Sequence, residues 1–265
     1  MRAKQRRTLS VGLSADVDGC LFDLDGVLTR TATVHAAAWK DTFDRFLQEY
    51  SNRTNTPFVP FDAHADYDQY VDGEPREDGI RSFLASRGIV LSERSPRGEG
   101  ADAGASAETS AETVQGLGAR KNERVLQLLT ENGVQVYAGS VQYLQAIGRV
   151  GIRCAVVSSS TNCHRVLKAA GIEGLFQVRV DGMTALREHL AGKPAPDMYL
   201  FAARALGLAP ARCVVFEDAL SGVEAGRAGG FGQVIGVDRV GQADALRAHG
   251  ATIVVSDLTE LLMRE

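Results

Sequence analysis

Short apolar runs separated by amphipathic stretches fill the second half of the chain, and this texture begins near Val136. Residues 153–157, 176–180, 212–216, 233–237 and 251–255 read as strands; 162–170, 198–206, 223–228 and 243–249 read as helices. Strands alternating with helices require crossovers, and so a parallel sheet covered on both faces. One more apolar run, over about 17–23, stands alone near the start, followed by roughly a hundred residues of mostly helical pattern. In that intervening stretch Val34, Ala37, Ala38, Phe43, Phe46 and Leu47 recur at helical steps across 33–50. Ile80, Phe83 and Leu84 mark a short helix over 76–86, and Val125, Leu128 and Leu129 another over 120–131, which Gly133 ends. Residues 51–60 read as a polar linker with Pro57 and Pro60, and residues up to about 15 as a frayed tail.

The fold class expected is therefore α/β: a three-layer, Rossmann-like parallel sheet core with a helical cap domain inserted after the first strand. The core would take residues 1–30 and 137–265, and the cap 31–136. Within the cap, 92–113 is rich in Gly, Ala, Ser and Glu and has almost nothing to bury, so a flexible, exposed loop is expected.

Composition narrows the classes. An apolar share of 45% over 265 residues supports a sizeable core and excludes a wholly disordered chain. A formal net charge of -4 lacks the basic surplus of a nucleic-acid binder. No segment is long and apolar enough to span a bilayer, and the basic run 1–7 has no apolar stretch behind it, so no secretory signal is read there. Cys20, Cys154, Cys163 and Cys213 show no metal-type pairing, and three of them sit in apolar runs as small hydrophobes. Reduced thiols and a cytoplasmic protein are expected.

Candidate chemistry gathers at the ends of the apolar runs. The first run leads into Asp23-Leu24-Asp25-Gly26, which places two acids on one strand face if the period of two persists. Two such acids are costly unless a cation or a proton separates them. The run 153–157 leads to Ser158-Ser159-Ser160-Thr161-Asn162, the run 212–216 to Glu217-Asp218, and Lys193-Pro194 precedes the helix at 198. In an open α/β sheet, ligands bind beyond these carboxyl ends. Carboxylates are the hard ligands Mg²⁺ prefers, hydroxyls at a helix start suit a phosphate, and a lysine supplies charge to phosphoryl oxygens. An aspartate can act as phosphoryl-accepting nucleophile with a second carboxyl as acid and base. Taken singly, the serines read as an N-cap cluster, Lys193 as a solvated loop residue and Glu217-Asp218 as first-turn acids. Their occurrence together, in order, favours phosphoryl transfer.

These four motifs resemble those of the haloacid dehalogenase superfamily, and the insertion resembles its class with a cap after the first motif. The runs 22–29, 76–78, 120–122 and 192–197, with His35 and Trp39-Lys40, are similar to its β-phosphoglucomutase-like subfamily. That resemblance implies Asp23 as the phosphorylated nucleophile and Asp25 as acid and base. It implies a Mg²⁺ site from Asp23, Asp25, Glu217 and Asp218. Ser158 and Lys193 would hold the transferring group, and Arg76, Ser160, Thr161 and Asn162 the distal phosphate. Thr31, His35, Gly73 and Lys121 would be the remaining substrate contacts. The implied reaction is a Mg²⁺-dependent interconversion of β-glucose 1-phosphate and glucose 6-phosphate through an aspartyl-phosphate. The expected partner is a small sugar phosphate, with no nucleic acid or membrane, and the protein is expected as a monomer. Thr161 stands where such mutases often carry lysine, which keeps a sugar-phosphate phosphatase as the alternative; a non-catalytic sugar-phosphate-binding regulator ranks third. Arg30 stands where an acid commonly follows the first motif.

Overall fold

The run Gly19–Phe22 forms strand β1, and all four residues are buried. A continuously apolar strand suits the middle of a parallel sheet, where both faces are covered. The computed structural model describes residues 11–94 and 112–263, and β1 sits in the interior of the sheet. It pairs in parallel with β2 (Arg153–Val157) on one side and β4 (Cys213–Glu217) on the other, with Phe22 opposite both Val156 and Phe216. β3 (Val178–Val180) extends the β2 side, and β5 (Gln233–Val237) and β6 (Ile253–Val255) extend the β4 side, all in parallel. The order is β3-β2-β1-β4-β5-β6. The winding therefore reverses between β1 and β4, the place in a doubly wound sheet where ligands bind.

The chain clusters into two compact units: residues through Arg30 together with Val134 onward, and Thr31–Gly133. The first contains the sheet and helices that follow it. Leu21, Ala155, Val157 and Val215 form one apolar cluster with Tyr199, Ala202 and Ala203 of the helix Asp197–Ala205 and with Val223 and Ala225 of the helix Leu220–Ala228. The Phe22 and Phe216 rings stack at 4.3 Å. The second unit is helical: α1 (Ala32–Thr54), α2 (Ala65–Tyr70), α3 (Arg76–Ser86) and α4 (Val114–Asn132). Its core is aromatic, with Trp39, Phe43, Phe46, Phe61 and Phe83 packed beside Ile80, Val114 and Leu117.

Several boundaries differ from those read in the sequence. α1 runs to Thr54 because Ser51 is buried and its hydroxyl donates to Thr56 O, so only residues 55–60 remain of the expected linker. α4 starts at Val114, where Thr113 Oγ1 accepts the Gly116 N–H at 3.0 Å as an N-cap. Gly116 and Gly118 hid this turn in the sequence; both are buried, and the helix packs there against α3. The helices α5 (Ala138–Arg149), α6 (Cys163–Ala169) and α7 (Gly182–Glu188) follow, of which α5 and α7 are absent from the sequence reading, as is α2. The remaining helices are α8 (Asp197–Ala205), α9 (Leu220–Ala228) and α10 (Ala243–His249). Of the expected flexible loop at 92–113, residues 95–111 lie outside the described residues, as do 1–10 of the expected tail. The ends of that loop are joined: Val114 N–H donates to Ser92 O at 3.0 Å. All four cysteines are buried and outside any disulfide, and burial pushes Cys154 up to about 12 and Cys213 up to about 11. No described helix is long and apolar enough to cross a membrane.

Candidate active site

The hydrogen-bond ladder of the sheet carries one step past β1, since Asp23 N–H donates to Phe216 O at 3.0 Å. Beyond it the chain closes a tight turn. Leu24 O accepts from the Leu28 and Thr29 N–H groups at 3.0 Å and from Thr29 Oγ1 at 3.1 Å, and Gly26 N–H donates to Thr29 O at 2.8 Å. Gly26 adopts φ 94°, and a Cβ there would lie 1.7 Å from Asp218 Oδ2, so both its backbone and its neighbour demand glycine. The strand does not hold its period through Asp25, because the turn begins first; the two acids acquire different partners. Asp23 Oδ1 accepts from Lys193 Nζ at 2.5 Å, and Asp25 Oδ2 accepts from Ser158 Oγ at 3.3 Å.

Lys193 is fully buried, far from the solvated loop lysine that its sequence context allows. Its ammonium lies between Asp23 and Glu217, 2.5 Å from an oxygen of each. Burial works against the charge, yet these two carboxylates hold the lysine pKa well above its ordinary value. Burial drives the Asp23 carboxyl well above the carboxylate range, with Glu217 and Asp25 adding to the rise and Lys193 opposing it. Glu217 is wholly buried at the end of β4. Its Oε1 accepts from Lys193 and from the Tyr199 hydroxyl at 2.9 Å, and its Oε2 from Ala219 N–H at 3.0 Å. Gly222 on α9 makes room for it: a Cβ there would lie 1.7 Å from Oε1.

Ser158 leaves β2 buried, with its N–H donating to Val180 O at 3.0 Å. It lies ahead of a helix start, as expected, with α6 beginning at Cys163. Between them the hydroxyls organise a turn: Ser158 Oγ accepts Ser160 N–H and Ser160 Oγ accepts Asn162 N–H, each at 3.1 Å. Asn162 takes the N-cap position of α6 without a side-chain cap bond. Thr161 packs against Gly182 at the start of α7, where a Cβ would meet its methyl at 2.9 Å.

One carboxylate oxygen each from Asp23, Glu217 and Asp218 lies within 4.8 Å of the others, and all three residues are buried. Uncompensated, so many buried acids repel, and an all-oxygen, all-carboxylate set is what a hard divalent cation prefers. The residues fit such an ion. Asp25's carboxylate is outside this trio. Both oxygens of Glu217 already accept hydrogen bonds, which leaves Asp23 and Asp218 as the better placed donors.

The cap candidates lie in the helical unit. Thr31 is buried and its carbonyl accepts the His35 N–H at 2.9 Å. Lys121 of α4 is buried, its Nζ 2.7 Å from His35 Nδ1 and 4.6 Å from the Trp39 ring centroid. An ammonium only donates, so Nδ1 accepts and the His35 ring carries its proton on Nε2. Gly73 has φ 72° just ahead of α3. Arg76 opens α3, and its Nη1 donates to Gly118 O at 3.1 Å. It sits 22% exposed rather than free on the surface.

Sequence reasoning missed Tyr199, Gly222, Arg239 and Gln242. Tyr199 fell within the helix read over 198–206 with no role of its own; its place six residues after Lys193 was the available signal. Arg239 and Gln242, which bond Gly26 O and Asp218 O, carried no motif. Arg30, which read as a departure from the family pattern, lies 4.7 Å from the centroid of the Tyr137 ring.

Against known proteins, residues 17–230 match the haloacid dehalogenase-like hydrolase family. A β-phosphoglucomutase of Mycobacterium tuberculosis is 53% identical over 259 residues, covering 97% of this chain and 95% of that one. The β-phosphoglucomutase of Bacillus subtilis is 31% identical over 249 residues, covering 92% and 93%. The crystal structure of a β-phosphoglucomutase from Clostridium difficile superposes with a TM-score of 0.69 at 23% identity, covering 92% and 93%, which establishes a shared fold.

Proposed function

The chain belongs to the haloacid dehalogenase-like hydrolase family and is an enzyme of the phosphotransferase or phosphatase kind; from that premise we propose that it is a Mg²⁺-dependent phosphosugar mutase interconverting β-glucose 1-phosphate and glucose 6-phosphate through phosphorylated Asp23. The observation that carries this reading is the buried Asp23–Lys193–Glu217 chain of ion pairs, with Asp218 beside it, at the reversal of the sheet. The full-length similarity to enzymes of that activity supports it.

In the first half-reaction the C6 hydroxyl of β-glucose 1-phosphate attacks phosphorus on phosphorylated Asp23. Asp25 takes the hydroxyl proton as the new P–O bond forms, and the bond to Asp23 breaks, leaving a glucose 1,6-bisphosphate and a free carboxylate. In the second, the bisphosphate has turned end for end, and Asp23 attacks the phosphorus at C1. The C1–oxygen takes the proton back from Asp25, and glucose 6-phosphate departs. Ser158, whose hydroxyl meets Asp25, keeps that carboxyl turned toward the transfer path. Lys193 balances the oxygens of the transferring group with a charge already fixed in place by Glu217. A Mg²⁺ held by Asp23 and Asp218 would add Lewis-acid neutralisation of a phosphoryl oxygen. Ser160, Thr161 and Asn162, with Thr31, His35, Gly73, Arg76 and Lys121, are proposed as substrate contacts on the strength of the sequence resemblance. Glu217 acts through Lys193 rather than as a principal ligand.

The test is product identification. With β-glucose 1-phosphate, Mg²⁺ and a trace of the bisphosphate, glucose 6-phosphate is expected without stoichiometric release of inorganic phosphate. Inorganic phosphate and free glucose would assign the scaffold to hydrolysis instead, the outcome that Thr161 favours by removing a charge from the distal phosphate site.

A further inference from the structure

The loop after β5 contains no residue of the proposed transfer machinery, yet it bonds to two of the loops that do. Its shape is set by Asp238, whose Oδ1 accepts the N–H groups of Val240, Gly241 and Gln242 at 3.2, 2.7 and 2.9 Å. From that turn Arg239 extends a side chain only 13% exposed. Its Nε donates to Gly26 O at 2.8 Å, its Nη2 to Val27 O at 3.3 Å, and its Nη1 to Ser256 O at 2.6 Å. The guanidinium lies 3.6 Å from the centroid of the Tyr137 ring. Three residues on, Gln242 Nε2 donates to Asp218 O at 3.0 Å. The two loops so held also touch each other, since Asp218 Oδ2 occupies the space a Cβ on Gly26 would need.

We propose that Arg239 and Gln242 are positioning residues for phosphoryl transfer, forming a clasp that fixes the Asp25–Gly26 turn against Asp218. A largely desolvated guanidinium is costly, and the carboxylate paired with this one, Asp257, is 4.0 Å away. Two of its three carbonyl bonds go to the turn directly after Asp25 and the third to Ser256 O. A planar fork with five donors can bind several carbonyls and lie on an aromatic face at once, which neither lysine nor an apolar side chain can do. The turn has further partners beside Arg239: Ser140 Oγ donates to Val27 O at 2.6 Å and lies 3.5 Å from Arg239 Nη2, and Tyr137 N–H donates to Leu28 O at 2.9 Å. With successive carbonyls of the turn engaged by this group, rotation of the peptide at Gly26 is restrained, and with it the direction of Asp25 and the room left for the Asp218 carboxylate. Gln242 fixes the Asp218 backbone from the same loop, so one element sets the distance between the acid–base residue and a proposed ligand.

This rests on the phosphoryl-transfer reading of the site, and its test separates the two. Wild type, Arg239→Met, Arg239→Lys, Arg239→Gly and Gln242→Ala are compared by steady-state kinetics on β-glucose 1-phosphate and by Mg²⁺ titration of thermal unfolding without substrate. Groups that orient metal ligands typically contribute 10- to 100-fold, so Arg239→Met is expected to lower kcat by about that factor with KM little changed. The Mg²⁺ concentration for half-maximal stabilisation should rise by about the same factor. Gln242→Ala should move both quantities in the same direction by less, and Arg239→Lys should recover only part of the loss. Added guanidinium should restore activity to the cavity left by Arg239→Gly. Wild-type kcat and Mg²⁺ midpoint in Arg239→Met would overturn the clasp. So would a loss that merely tracks the folded fraction and does not respond to guanidinium. If Arg239 variants fail to fold, an unshifted Gln242→Ala overturns it. If the wild type transfers no phosphoryl group at all, the functional reading fails, while the Mg²⁺ titrations still decide whether the clasp orders the acids.

Discussion

Replacing Tyr199 by Phe removes one oxygen from the most enclosed part of the site and leaves the packing otherwise intact. The ring is fully buried and meets Phe231 edge-on at 6.0 Å, contacts that Phe retains. What is lost is the hydroxyl donor to Glu217 Oε1 at 2.9 Å. Burial, together with Glu217, drives the phenol pKa well above its ordinary value, so at any working pH the group is a donor. A hydrogen bond to a charged acceptor contributes about 1.5–3 kcal/mol. Lys193 still donates to the same oxygen, so Glu217 is not left bare, and the lower part of that range applies: about 2 kcal/mol. Urea unfolding should show this as a lower midpoint at unchanged slope. The probe matters, because the single tryptophan, Trp39, lies in the helical unit and does not report on the sheet. Far-ultraviolet circular dichroism, or hydrogen exchange at the β4 amides, reads the right place. Since Lys193 keeps its bond to Asp23, kcat should fall by less than about tenfold. A Tyr199→Phe protein as stable as wild type to within about 0.5 kcal/mol would refute the reasoning, because that is what a surface change does.

Gly222→Ala should be far more damaging than its size implies: the new methyl would lie 1.7 Å from Glu217 Oε1, so either α9 or the Glu217–Lys193 pair must move. A stability loss of about 1–3 kcal/mol with a fall in kcat is expected, checked by the same unfolding and product assays. Asp257 supplies a pH test. Against partial burial, the Thr259 hydroxyl and N–H, with Arg239, hold its carboxyl below the usual range. A depressed folded pKa means that its contribution is present above the unfolded value near about 4 and is lost as pH falls through the folded value. Acid unfolding of Asp257→Asn should therefore lack that part of the decline, and superimposable acid limbs for the two proteins would count against the assignment.

The central strands β1, β4 and β5 were legible because they are buried almost throughout and so read as apolar runs; Gln233–Val237 lies where the pattern put it to the residue. The helical stretches with mixed or glycine-containing faces were not. α7 carries two exposed large apolar residues, Met183 and Leu186, and only Gly182 and Thr184 buried, so no stripe marks it. α4 has Gly116 and Gly118 in its first turns, both buried, and sequence rules score glycines as breakers. Within the candidate site, the strand-end acids and Lys193 announced themselves by order and residue type. How they are arranged did not, since Lys193 lies 170 residues from Asp23. That Glu217 spends both its oxygens on Lys193, Tyr199 and a backbone N–H could not be read from a Glu-Asp pair at a strand end. Arg239 was invisible for a plainer reason: a single arginine in a surface-patterned loop is usually solvated.

The central claim is that Asp23 itself carries the phosphoryl group, and mass spectrometry of the acid-quenched enzyme tests it most directly. After brief exposure to the glucose bisphosphate with Mg²⁺, the intact protein should gain the mass of one phosphoryl group, which fragmentation localises to Asp23, and Asp23→Asn should gain none. Phosphate found on a different residue, or equal labelling of Asp23→Asn, would contradict it.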